Sequence, residues 1–438
     1  MTRFKLVITL LLALLPLKAL AAVEVQEITS KGGINAWLVQ ENSIPFVALE
    51  IRFRGGSALD LPGKRGAINL MTGLLEEGAG DLDARGFAQA TEALAARFRY
   101  RVFDDVLSIS AQMLTENRDA AVALLKSSLV EPTFDQEALD RVRGQVLSGL
   151  RSDATDPSTI AGQEFDRMVW GDHAYGSDRS GTAEIVTALT RQDMIDAHAQ
   201  VFARDRVYVS AVGDISAAEL GALLDDLLGD LPESAAPLLD RADYGLQGGV
   251  TVVPFDTPQS VALFGHQGIT RDDPDYMAAY VVNEVFGGSG FEARLMEEVR
   301  EKRGLTYGIG TFLAPMEYGE LVLGQVRSDN DTIAEAIEVI RAEWARLADR
   351  GLTAEELQDA KTYLTGAYAL RFDGNAPIAR IMVGMQMSGL PVDYLRTRND
   401  QVNALTLDQV NRVARRLYDA DALHFVVVGQ PEGLAGAN

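Results

Sequence analysis

A chain of 438 residues is too long for one small domain: at roughly 150 residues per domain it holds two or three globular units. With 47% hydrophobic and 24% charged residues it has the composition of a folded soluble protein, which excludes a disordered or collagen-like chain. The 63 Asp and Glu against 40 Lys and Arg give a formal charge of −23, the wrong sign for gripping a phosphate backbone, so nucleic acid is not an expected partner. Such acidity either favours basic peptides or serves solubility alone.

At the N-terminus Arg3 and Lys5 precede an apolar run from Leu6 to Leu17, and Ala19-Leu20-Ala21 supplies the small-x-small pattern of a signal-peptidase site. The run is too short for a permanent span. Residues 1–21 are therefore read as a signal peptide, and the mature protein as exported and without membrane attachment once it is cleaved. No cysteine is present, which removes a lipid-anchored lipoprotein signal, disulfides and thiolate metal sites together. The bacterial periplasm is the expected compartment.

The chain repeats itself. Ala188-Leu189-Thr190 opens a helical pattern through Met194, Ile195 and Val201 that leads into a strand over Val207–Val212 and stops at Gly213. Ala404-Leu405-Thr406 opens the same sequence of signals through Val410, Val413 and Leu417, a strand over His424–Val428 and a stop at Gly429, 216 residues later. Upstream, Val47, Leu49, Ile51 and Phe53 alternate in a strand over Phe46–Phe53 that resembles Ser260–Gly265. A period near half the mature length means duplicated domains rather than a solenoid. The Pro-, Ala-, Asp- and Gly-rich stretch Pro232–Gly249 marks the boundary, so the expected division is 22–235, a linker 236–247, and 248–438.

Within each half the strands sit in neighbouring pairs, with long amphipathic helices between them. That predicts an α+β fold: two homologous domains, each a largely antiparallel sheet with helices packed on it. Asp135–Arg151 reads as a helix after the turn Glu131-Pro132-Thr133. Its expected counterparts are Thr332–Asp349 and Thr353–Leu370, the second opened by a capping box at Thr353 and Glu356.

Motif spacing then points to a family. The segment from Gly63 to Gly78, which follows a strand ending in Arg54-Gly55-Gly56-Ser57, resembles the first helix of the pitrilysin or insulinase-type zinc peptidases, the inverzincins. That helix carries H-x-x-E-H, two histidines one turn apart binding zinc and a glutamate acting as general base. Here the matching positions are Asn69, Thr72 and Gly73, none of which can do that chemistry. The family's third ligand is a glutamate on a downstream helix, and the matching stretch Arg141–Ser152 contains no acidic residue. Ala67, Leu70, Met71, Leu74 and Leu75 remain as the core face of a scaffold helix. No metal is expected on this chain.

The second half keeps a different part of the pattern. Val285-Phe286-Gly287-Gly288-Ser289-Gly290-Phe291 leads into the run Ala293–Gly308, which resembles the family's second-domain signature down to Arg300 and, seven residues on, Tyr307. The local reading is a short helix anchored by Leu295, Met296 and Val299, a left-handed cap at Gly304, and a strand opened by Tyr307. The resemblance implies that Arg300 and Tyr307 bind the substrate carbonyl over a zinc site and steady its oxyanion. The competing reading places Arg300 in a solvated charge run with Glu297, Glu298, Glu301, Lys302 and Arg303, with Arg303 as the rival for the role. Gly287, Gly288, Ser289 and Gly290 lack the Lys-Ser/Thr of a phosphate-binding loop. They resemble instead the glycine-rich substrate loop of the non-catalytic subunit of processing peptidases.

The four histidines, His173, His198, His266 and His424, are dispersed without the four-residue spacing of a helical zinc pair. His173 lies in a Trp170–Gly176 loop that resembles one common in the family. In the short branch of that family a two-domain chain pairs with a second one, and the expectation is a catalytically incomplete subunit in a heterodimer with a zinc-bearing homologue. This chain would supply Arg300 and Tyr307, zinc would sit in the partner, and an extended peptide would lie against a sheet edge. A purely structural or interaction subunit, or a peptide-binding clamp without hydrolysis, are the alternatives.

Overall fold

The computed structural model describes residues 24–288 and 293–434. The signal segment 1–21, and Ser289 and Gly290 of the glycine loop, lie outside the described residues. The chain begins with strands β1 (Gln26–Thr29), β2 (Asn35–Gln40) and β3 (Phe46–Arg54), then helix α1 (Ala67–Leu74). A small hairpin of β4 (Gly78–Ala79) and β5 (Leu82–Asp83) precedes α2 (Ala84–Ala93), β6 (Arg97–Val102) and β7 (Val106–Leu114). Next come α3 (Arg118–Val130), α4 (Gln136–Asp153), α5 (Pro157–Trp170), α6 (Ala183–Ala188), α7 (Arg191–Val201), β8 (Val207–Gly213) and α8 (Ala217–Leu228).

A second block repeats the plan with β9 (Gly249–Pro254), β10 (Gln259–Gln267), α9 (Tyr276–Gly287), a π-turn over Met296–Glu301, β11 (Ile309–Pro315) and β12 (Glu320–Asp329). It closes with α10 (Ile333–Arg350), α11 (Ala354–Gly366), α12 (Asn375–Met387), α13 (Tyr394–Ala404), α14 (Leu407–Leu417) and β13 (His424–Gly429).

The first sheet runs β1-β2-β8-β3-β7-β6 and the second β11-β12-β10-β13-β9. In both, one parallel pair (β2 with β8, β9 with β13) joins an otherwise antiparallel sheet, so β8-β3-β7-β6 and β13-β10-β12-β11 are equivalent ladders. The fold is thus the expected α+β pair. The 216-residue period has local physical content: Thr190 and Thr406 each form a capping box, with Asp193 and Gln409. Gly213 and Gly429 both hold positive φ, 143° and 156°, where a Cβ would lie 2.2 Å from the Phe46 carbonyl and 2.3 Å from Ser260 Oγ.

Strand order also sorts the helices. α3 and α4 follow β7 as α10 and α11 follow β12, so the counterpart of α4 is α11 alone, and Thr353 opens it with the predicted capping box. Helix α11 stops at Gly366, short of Leu370; a 3₁₀ turn over Tyr368–Phe372 follows.

One core lies between each sheet and its own helices, and helices are exchanged across the remaining faces. Phe165, Val169 and Trp170 of α5 pack with Val426, Val428 and Leu321 of the second sheet. Ile378, Ala379, Met382 and Met385 of α12 pack with Trp37 and Val212 of the first. This exchange explains why β3 is buried at Ala48 and Glu50 as well as at its alternating apolar positions. Covered on both faces, the strand loses the simple in-out pattern. Glu50 is held there by Ser110 Oγ at 2.9 Å and Arg380 of α12 at 3.8 Å. The stretch between α8 and β9 contains no regular element but is pinned at the junction, Gly245 N–H donating to Val169 O at 2.9 Å and Ala242 N–H to Tyr318 O at 2.7 Å.

Candidate functional site

Helix α1 carries the degenerate zinc motif. Asp60 sets its start, its carboxylate accepting from the Gly66 and Ile68 amides at 2.8 Å each. Burial pushes the Asp60 carboxyl up to about 6 even though those amides and Arg65 favour its charged form. Leu70, Met71, Leu74 and Leu75 are fully or almost fully buried, the core face that the helical spacing predicts.

The three positions that would carry zinc chemistry are engaged otherwise. Thr72 is buried and its hydroxyl donates to the Ile68 carbonyl at 2.7 Å, one turn back. Gly73 faces α4, where a Cβ would lie 3.0 Å from Val142 Cγ1. Asn69 is half-buried. On α4, Arg141 pairs with Glu77, and residues 141–152 of that helix carry no carboxylate. This set does not fit zinc, and among the described residues no group of three or more His, Asp or Glu is arranged to hold a metal ion.

The histidines serve packing. Buried His266 sits between the Gln267 carbonyl at Nδ1 (2.7 Å) and the Trp344 indole N–H at Nε2 (3.1 Å). These partners define a neutral ring with its proton on Nδ1, and burial lowers its pKa accordingly. His198 Nε2 meets the Leu129 carbonyl at 2.8 Å, and His424 bridges Gln247 O (2.7 Å) and Thr251 Oγ1 (3.0 Å). His173 accepts the Tyr175 amide at 3.2 Å and stacks edge-on with that ring. Around it a polar knot joins the two halves: Asp105 accepts the Tyr175 hydroxyl and the Glu317 amide (3.0 Å), while Tyr175 Oη accepts the Tyr318 amide (3.1 Å).

The corner bearing Arg300 and Tyr307 is built differently from the sequence expectation. The short helix is a π-turn, Lys302 N–H reaching back to Glu297 O at 2.9 Å, with Leu295 and Val299 buried. Gly304 takes φ 66° as expected, but the strand opens at Ile309 rather than at Tyr307. The delay has a cause. Leu305 and Thr306 turn inward onto β12, the Leu305 carbonyl accepting from Ser328 Oγ and Thr306 Oγ1 donating to Arg327 O, both at 2.6 Å. Tyr307, between those anchors and Gly308, is driven outward and is 88% exposed.

Arg300 lies one-third exposed with its Nε 3.5 Å from Glu301. Its rival Arg303 is committed to the fold through Glu298, as Arg294 is through Glu356 (2.5 Å) and the Gly351 carbonyl (2.8 Å). Gly287 and Gly288 have a packing reason of their own: a Cβ would meet Thr311 Oγ1 at 2.3 Å and the Glu284 carbonyl at 2.7 Å. The polar knot and the π-turn are the features that sequence reasoning missed; the first joins residues far apart in the chain, and the second leaves no propensity signal.

Comparison with known proteins agrees with this geometry. Residues 188–364 match the family model for the Peptidase M16 inactive domain. The chain is 26% identical over 427 residues to the "Non-peptidase homolog YmxG" of Helicobacter pylori (strain ATCC 700392 / 26695), covering 97% of this chain and 98% of that protein. A crystal structure of a peptidase M16 inactive domain from Pseudomonas fluorescens superposes with a TM-score of 0.88 at 27% identity, over 95% of this chain and 100% of that one. A chain of Complex III2 from Candida albicans shares the fold, with a TM-score of 0.78 at 16% identity over 94% and 97% of the two chains. Along nearly its whole length the chain thus resembles the pitrilysin/insulinase-type M16 peptidases, and the relatives it matches include an inactive M16 domain and a non-peptidase homologue, in keeping with the loss of the zinc-binding residues at Asn69, Thr72 and Gly73.

Proposed function

We propose that the chain is an exported, periplasmic subunit, catalytically incomplete by itself, that forms a heterodimer with a zinc-bearing homologue and supplies Arg300 and Tyr307 to peptide hydrolysis. The observation that carries this reading is Tyr307: an aromatic 88% exposed on a corner where Leu305 and Thr306, just before it, are both tied to β12. Folding gains little from such a residue, whereas a phenol and a guanidinium on one corner suit a carbonyl oxygen that becomes an oxyanion. Beside the corner, β11 is the terminal strand of its sheet and among the described residues pairs only with β12, which leaves an edge for an extended peptide. Gly287 and Gly288, at the end of α9, stand at the same end of β11 and belong to the proposed peptide site.

The acidic net charge favours basic or unstructured peptides. The edge of the first sheet is charged the other way, because Arg97, Arg99 and Arg101 project exposed from β6. Peptides of both signs therefore belong in the assay. A structural subunit without chemical use of the pair, or a clamp that binds peptide without cleaving it, is the alternative favoured by the packing role of Gly287 and Gly288.

The test is to purify the mature chain, measure its zinc by elemental analysis, and follow cleavage of quenched peptides with and without an H-x-x-E-H homologue from the same source. Zinc-free protein that is inactive alone, and whose mixture loses activity with Arg300→Ala or Tyr307→Phe, supports the divided site. Unchanged activity in both variants supports the structural reading. Tight peptide binding without the homologue and without cleavage supports the clamp.

A further inference from the structure

A cavity of about 420 Å³ lies far from the Arg300 corner, at the N-terminal end of α9. Its walls come from α9, the end of β11, the 3₁₀ turn after α11, and α13, with the exchanged helix α12 closing it through Ile381, Gly384 and Met385. Every residue that lines it comes from the second half, with α12 standing between it and the first sheet, and its size falls in the small-molecule range.

The lining chemistry is one-sided. Three arginines, Arg271, Arg371 and Arg398, and four tyrosines, Tyr276, Tyr280, Tyr368 and Tyr394, face the space, and among the described residues no carboxylate lines it, in a chain with 63 acidic residues. Arg398 is only 5% exposed and is the best placed of the three. Its guanidinium lies over Tyr368 at 4.7 Å and Tyr280 at 5.7 Å, and Nη1 donates to Leu364 O at 2.8 Å and Asn399 Oδ1 at 3.0 Å. Nε and Nη2 make no hydrogen bond among the described residues. They form the side edge of the guanidinium, which pairs with a carboxylate as a fork. Arg271 lies 4.3 Å over Tyr276 in the same wall, and burial keeps the Tyr276 and Tyr368 phenols protonated.

Stacked, pre-oriented guanidinium groups collect anions, and flat aromatic walls reward an apolar body; Arg371 also feels the charge of Glu284, whereas Arg271 and Arg398 form no ion pair among the described residues. We propose that this cavity binds an organic anion composed of a carboxylate joined to an aromatic group, the carboxylate pairing with Arg398 and attracted by Arg271 and Arg371. The same chemistry is offered by a free aromatic acid and by the carboxyl terminus of a peptide ending in an aromatic residue.

Calorimetric titration of the purified mature chain at low salt, with N-acetylphenylalanine, its amide, and acetyl-Ala-Ala-Ala-Phe with a free carboxyl terminus, tests this directly. The expected result is binding of at least one acid, with the amide roughly tenfold or more weaker. Binding of the tetrapeptide assigns the site to chain termini, and binding of the single-residue acid alone assigns it to free small acids. Arg371→Gln removes an exposed charge and should weaken the acid roughly threefold or more at unchanged thermal midpoint, and Arg398→Lys should weaken it further by losing the fork. Equal affinity for acid and amide, no binding of either acid at millimolar concentration, or wild-type affinity in a folded Arg271→Gln/Arg371→Gln variant would overturn the proposal.

Discussion

Arg303 is locked to Glu298: its Nη1 lies 2.8 Å from Oε2 and 2.7 Å from the backbone carbonyl of the same residue. Glu298 is itself only 7% exposed and also meets Lys302 at 2.9 Å, so the arginine three residues from Arg300 belongs to the fold of the π-turn. Two basic residues that look interchangeable in the sequence thus have different surroundings.

Arg303→Ala should lower stability by about 1 kcal/mol, since the pair is partly exposed and Glu298 keeps other cations. Tyr307→Phe removes a hydroxyl from an exposed ring and should change stability by less than about 0.5 kcal/mol. Urea unfolding followed by circular dichroism measures both. A Tyr307→Phe variant as damaged as Arg303→Ala would mean that the phenol has a structural partner.

Restoring the consensus at α1 by Asn69→His, Thr72→Glu and Gly73→His should not restore stoichiometric zinc. The matching stretch Arg141–Ser152 of α4 offers no carboxylate as a third ligand, and the new side chain at position 73 meets Val142. The buried Thr72 bond to Ile68 would also be lost, at a cost of about 1–3 kcal/mol together with the crowding. Elemental analysis and a thermal melt read out the two effects, and one tightly bound zinc per chain would contradict the account.

The paired glycines at the ends of β8 and β13 should respond alike. Gly213→Ala and Gly429→Ala each place a Cβ at positive φ within 2.3 Å of a neighbouring strand. Each should cost about 2 kcal/mol or more. Denaturant midpoints check this, and a neutral Gly429→Ala would break the structural equivalence of the two sites.

Asp166 of α5 gives a pH signature. Burial first, then the charges of Asp104 and Asp178, raise its carboxyl to about 7. Its folded pKa lies above the unfolded value near 4, so its contribution to stability is complete below about pH 4 and is lost as pH rises towards 7. Asp166→Asn should therefore stabilise the protein by on the order of 2 kcal/mol at pH 8 and by much less at pH 5. Thermal melts across that range decide it, and an equal effect at both pH values would assign the change to packing.

Much of this architecture is legible in the chain because it rests on local rules. Alternation locates β3 and β10, and capping residues locate α7, α11 and α14 within a residue or two. A glycine at the same offset ends β8 and β13, since no other residue tolerates that φ against a neighbouring strand. The loss of zinc chemistry at Asn69, Thr72 and Gly73 is a matter of side-chain chemistry alone and needs no coordinates. Tertiary structure decides what depends on residues far apart. It exchanges α5 and α12 between the sheets and so buries Glu50. Through β12 it pulls Leu305 and Thr306 inward and so turns Tyr307 out. It also gathers Arg271, Arg371 and Arg398, separated by up to 127 positions, around one cavity. Periodicity and capping act over a few residues, whereas burial and charge pairing depend on which distant elements pack together.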